Sequence, residues 1–127
     1  MDILVLIAGI LSVTVGFVHS LLGEWLIFKK LRINSIVPTL APKPFREKHI
    51  RILWATWHIS SIFGWMVGYM LLVLAITGSI ERTHLIPTIA VAMAASGVLV
   101  LLATQAKHPG WIGLLGVALL CVLSSLN

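Results

Sequence analysis

Hydrophobic residues fall along this chain in four long blocks, with polar residues confined to the gaps and to a few isolated interior positions. The first block runs from about Ile3 to Phe28, the second from Ile52 to Ile76, the third from Leu85 to Thr104 and the fourth from Trp111 to Leu126. Each reaches or approaches the ~20 residues that carry a helix across a hydrocarbon core. The fourth is the shortest, and at ~1.5 Å rise per residue it would have to stand nearly upright. No ten-residue alternation of polar and apolar side chains marks a barrel strand. The pattern predicts an all-α protein, a bundle of four transmembrane helices.

Composition supports this. Of 127 residues, 59% are hydrophobic and 10% charged, where a soluble domain carries roughly 25% charged residues. A small soluble domain could not bury that excess, and lipid is its natural solvent. The length allows one integral membrane domain, 1–127. The first block resembles a signal peptide only in position. It lacks a basic leader, is too long, and ends in Lys29 and Lys30 where a cleavage site would need small residues, so it is expected to be retained.

Charge gives the chain a direction. Lys29, Lys30, Arg32, Lys43, Arg46, Lys48 and Arg51 lie between blocks one and two, Lys107 between three and four, and Arg82 alone on the other side. Eight basic residues against one predict a long basic loop in the cytoplasm and both termini outside it, in the inner membrane. The net charge of +5 could suggest nucleic acid, but these residues flank apolar blocks and lack interleaved aromatics, so no nucleic-acid partner is expected. The partners expected are membrane lipids and, if the chain transports, a second copy, since four short helices make a narrow path. The only cysteine, Cys121, can form neither an internal disulfide nor a thiolate cluster. Pro38, Pro42 and Pro44 break the basic loop, which reads as a surface connection or as a lid.

Small residues suggest how the helices meet. Gly9, Gly16 and Gly23 recur at sevenfold spacing; Gly64 and Gly68, Ala90, Ala94 and Gly97, and Gly113 and Gly116 offer matching seams. The polar residues inside the blocks need a different account. His19 and His58 would sit ~13 and ~9 Å into the membrane from the loop side. Glu24, His49, Arg51 and His108 approach from the same side, and only Glu81 and His84 fall clearly on the other. In block two, Arg51, Trp54, His58, Ser61 and Trp65 share a helix face, and in block one Ser20 and Glu24 do. Such a stripe should face protein, because ionisable groups facing lipid are costly.

Three readings of this cluster remain open. In the first it is structural: His19 and His58 hydrogen-bond to each other or to Ser20, Ser60 and Ser61, Glu24 pairs with Arg51, and Trp25, Trp54, Trp57 and Trp111 anchor the interface. In the second, His19 and His58 ligate haem or a transition metal, with Glu24, His49 or His108 completing a zinc site. In the third, an enzyme or small-molecule pocket at the inner leaflet uses Glu24 or a histidine as acid or base, with Arg51 and Lys48 holding an anionic headgroup.

The segments GFVHSLLGE, RILWATWHISSIFGW and KHPGW resemble the signature of a family of small bacterial four-helix membrane proteins of unknown function, over nearly the whole chain. The resemblance implies the same architecture and nominates His19, Ser20, Gly23 and Glu24; Arg51, Trp54, His58 and Trp65; and His108, Pro109, Gly110 and Trp111. It implies no substrate, cofactor or activity.

Overall fold

The computed structural model describes residues 1–126, and all of its regular structure is helical. Four helices, α1 (Ile3–Leu26), α2 (Glu47–Thr77), α3 (Arg82–Thr104) and α4 (Gly110–Ser125), follow in order, with a short 3₁₀ helix at Phe28–Leu31. Among the described residues, α1, α2 and α3 are long and apolar enough to cross a membrane; α4 is apolar but has 16 residues.

Two helices begin earlier than the apolar pattern predicts. The first turn of α2 is Glu47-Lys48-His49, polar and so invisible to a hydrophobic block, yet His49 Nδ1 accepts the Arg46 N–H at 3.2 Å and stabilises the start. The first turn of α3 is likewise polar, from Arg82. α1 ends two residues sooner than predicted, at Leu26, and the chain tightens into the 3₁₀ turn. Asp2 caps α1 through Leu4 and Val5 N–H, and its own N–H donates to Ala75 O at 3.1 Å, tying the start of α1 to the end of α2. Gly78, at φ +79°, ends α2 in the left-handed conformation that glycine adopts without steric cost.

Successive helices pack antiparallel, α1 on α2, α2 on α3 and α3 on α4, in an open row. Four helices are present as expected, and among the described residues α1 and α4 share no substantial interface. Glycine placement explains half of this. Gly9, Gly16 and Gly23 are all buried against α2, so the close-approach face of α1 is used once. The rest of α1 presents Leu4, Ile7, Leu11, Val15, Leu21 and Trp25 as exposed side chains, a surface suited to lipid. Gly97 packs on Leu115 of α4, but Gly113 and Gly116 face open space and make no seam.

The interior is tightest at the end that carries the long loop, where Phe28, Trp54, Ala55, Val100 and Ala103 form a buried cluster. The loop folds back on it. Thr39 and Leu40 N–H both donate to Leu31 O, at 2.9 and 3.0 Å, and Pro38 is buried. The eight basic residues of the loop, the start of α2 and the α3–α4 turn thus gather at one end, and Arg82 lies at the other, where it donates to Ser124 O.

These contacts set a contrast between glycines. Gly68→Ala would drive a methyl into Val13 Cγ2 and to 3.0 Å from Gly9 O. It should destabilise the detergent-solubilised protein by about 1–3 kcal/mol, the usual cost of overpacking. Gly113→Ala, with nothing within 4 Å, should cause no loss. Thermal unfolding followed by tryptophan fluorescence separates the two, and equal effects would refute the packing described.

Candidate functional site

Helical spacing builds the site from two faces. Ser20 and Glu24 are one turn apart on α1, and Trp54, His58 and Ser61 line the facing stripe of α2. Gly23 lets the two approach, because a Cβ there would collide with the Trp57 indole. That indole in turn donates to His19 O at 3.0 Å and stacks on the His19 ring, centroids 4.3 Å apart.

Glu24 is the centre. Its Oε1 accepts from Trp54 Nε1 at 2.5 Å and meets His58 Nε2 at 2.9 Å, while Oε2 pairs with Arg32 Nη2 at 2.6 Å. His58 Nδ1 lies 2.8 Å from Ser20 Oγ, and Ser20 Oγ lies 2.8 Å from the Oγ of buried Ser61. A continuous line of hydrogen bonds therefore runs Ser61–Ser20–His58–Glu24, ending on a guanidinium.

The line admits two proton arrangements. In one, Ser61 donates to Ser20, Ser20 to His58 Nδ1, and His58 Nε2–H to the Glu24 carboxylate. In the other, Ser20 donates to Ser61 and His58 Nδ1–H to Ser20; Nε2 then faces Glu24, and one of that pair must carry an additional proton. The second arrangement holds one proton more than the first, so passing between them takes up or releases a proton at an end of the line while the others shift along it. This is acid–base chemistry that needs no large motion.

Of the residues nominated from sequence, Ser20, Glu24, Trp54, His58 and Ser61 come together. His19 lies one helix position away, on Trp57, and its buried Nε2 has no partner. It does not hydrogen-bond to His58, contrary to one expectation. Arg51 and His108 stand apart from the line. Arg51 donates from Nε to Glu47 Oε1 at 2.7 Å and from Nη1 to Ala103 O at 3.1 Å, so the expected Glu24–Arg51 pair is replaced by Glu24–Arg32. His108 Nδ1 accepts the Gly110 N–H at 3.1 Å and shapes the turn before α4.

Sequence reasoning passed over Arg32 because its reach to Glu24 depends on the 3₁₀ turn doubling back. An acid followed eight residues later by an arginine carries no helical periodicity that would reveal the contact. Both ring nitrogens of His58 are engaged, so joint ligation by His19 and His58 would require His58 to release a partner. Among the described residues, no three His, Cys, Asp or Glu side chains gather closely enough to hold a metal ion.

Pairwise coupling tests this wiring. In a double-mutant cycle, Glu24→Gln with Arg32→Gln should show about 1 kcal/mol of coupling, discounted because the side chains are 28% and 25% exposed. Glu24→Gln with Arg51→Gln should show almost none. Unfolding of the detergent-solubilised variants supplies the energies, and a reversed order would restore the Glu24–Arg51 pair. A scan against protein-family models, a search of curated proteins and a search of solved structures each found no match to this chain.

Proposed function

We propose that this chain is a multi-pass inner-membrane protein whose Ser61–Ser20–His58–Glu24 line works as an acid–base relay, serving a small amphipathic ligand at the cytoplasmic leaflet. All four helices cross in this reading, α4 upright and α1 and α2 tilted, with residues 27–46 and the α3–α4 turn inside and the termini outside. Support for the direction comes from the eight basic residues at one end. The likeness to small four-helix membrane proteins of unknown function belongs to the same proposal and concerns architecture alone.

One observation carries the relay. His58 is held between a hydroxyl at 2.8 Å and a carboxylate at 2.9 Å, so it can pass a proton without losing both partners. The same trio of residue types activates a serine nucleophile in hydrolases, but that chemistry also needs donors for an oxyanion. Ser20 sits within α1, where the neighbouring backbone N–H groups are committed to the helix. Proton transfer fits this setting better than acyl transfer.

A second reading, haem or metal binding, rests on His19, whose buried Nε2 is unpartnered beside an open groove along the α1–α2 seam. It would draw on His58 only after that ring gave up Ser20 or Glu24.

Infrared difference spectra of the protein in lipid nanodiscs, taken between roughly pH 5 and 9, test the relay. A working relay gives a pH-dependent carboxyl band that Glu24→Gln removes and Ser20→Ala or His58→Gln displaces. Spectra without that band would make the network a static structural device. Absorption spectra and elemental analysis of the same sample decide the second reading: one equivalent of haem or metal, lost in His19→Ala, would replace the relay as the site's purpose.

Orientation has its own check. In a Cys121→Ser background, a cysteine at Ser79 should react with an impermeant maleimide on intact cells, and one at Lys30 should react only after lysis. The opposite pattern would invert the topology.

A further inference from the structure

A second polar region lies apart from the relay, between the start of α2 and the end of α3. Here a groove of about 580 Å³ is lined by Glu47, Lys48, His49, Arg51, Lys107 and His108 among others. Volumes of roughly 300–1,000 Å³ are typical of small-molecule sites. The groove joins chain segments more than fifty residues apart, so its charge is assembled by the fold.

Its cations are largely uncommitted. Among the described residues, Lys48 has no ion pair or side-chain hydrogen bond, and Lys107 Nζ reaches only Gln105 Oε1, at 3.4 Å. Arg51 uses Nε on Glu47 and Nη1 on Ala103 O, which leaves Nη2 without a protein acceptor. Those two bonds also hold the guanidinium in place, with its side chain 15% exposed. Three permanent cations thus face one carboxylate, and that carboxylate is already engaged by Arg51. The first turn of α2 adds the positive end of its helix dipole, whereas the last carbonyls of α3 oppose it, one of them answered by Arg51.

We propose that this groove binds an anionic phosphate group. The ligand is either the phosphate of a lipid headgroup in the adjoining leaflet or free phosphate. Arg51 supplies a fixed, directional donor, and Lys48 and Lys107 supply mobile charge from the two sides. The position suits a lipid headgroup, because the groove lies at the end of the helices where the basic residues collect. The inference depends neither on the relay nor on which side of the membrane this end faces.

The test must separate a built site from general attraction of anions to a basic surface. The full chain in detergent is mixed with phosphatidylglycerol or with phosphatidylcholine and examined by native mass spectrometry. Equilibrium dialysis measures binding of inorganic phosphate in parallel. Two variants remove the same charge from the same end: Lys48→Gln/Lys107→Gln inside the groove, and Lys29→Gln/Lys30→Gln outside it. All four lysines are exposed, so circular dichroism should show both variants folded.

The expected result is one phosphatidylglycerol retained per chain. Retention should weaken by about thirty-fold in the groove variant, the product of two lysine contributions at a membrane surface, and by less than about threefold in the control. Saturable binding of inorganic phosphate with the same dependence on variants, and without a preference for phosphatidylglycerol, also supports the groove and assigns it a free anion. Equal losses in the two variants overturn the proposal, as does equal retention of the two lipids without phosphate binding.

Discussion

A carboxylate carried on an apolar helix must be met by donors, since an unpaired charge in a low-dielectric setting costs far more than the helix could recover elsewhere. Glu24 is met from three directions: by the Trp54 indole, the His58 imidazole and the Arg32 guanidinium. Much of the structure follows from this demand. Trp54 and His58 belong to one face of α2, so that face has to turn toward α1. Arg32 comes from beyond the end of α1, so the chain has to double back there, and the 3₁₀ turn with the buried Phe28 and Pro38 accomplishes it.

The glycines make that meeting sterically available. With lipid outside, helix association depends on close packing and hydrogen bonds more than on expulsion of water. Gly9, Gly16 and Gly23 present bare backbone along the whole length of α1, and α2 fills the space with Leu72, Trp65 and Trp57. The bulky indoles are therefore a consequence of the glycine seam as much as a feature of the site. Trp57 occupies the place of an absent Gly23 side chain and, from there, flattens against His19 and binds its carbonyl. Packing and polar network are one construction, and a change to either is felt by the other.

The same economy leaves surface to spare. Because α1 spends all three seam glycines on α2, its other faces remain apolar and open, and the four helices make a row with two distinct polar regions at one end. One region is closed and self-satisfied around Glu24. The other, around Lys48, Arg51 and Lys107, keeps donors to spare: Lys48 and the Arg51 Nη2 have no protein acceptor among the described residues. The contrast is chemical. A network whose donors and acceptors are matched is suited to relaying protons along itself, whereas cationic donors left over in a groove are suited to receiving an anion from outside.

Much was decided by sequence alone. The apolar blocks gave four helices, and the last was placed within one residue at each end. Helical spacing placed Ser20 with Glu24 and Trp54 with His58 and Ser61, and the sevenfold glycines announced the α1 seam. These are local properties, set by 3.6-residue periodicity and by the cost of polar groups in lipid. Pairings across distance were not legible. Arg51 was the cation expected to meet Glu24, and only the turn of the chain after α1 delivered Arg32 instead. Small residues on every helix offered matching seams, yet Gly113 and Gly116 face open space. Which of several compatible seams is used depends on the side chains opposite, and that is settled only when the helices are set side by side.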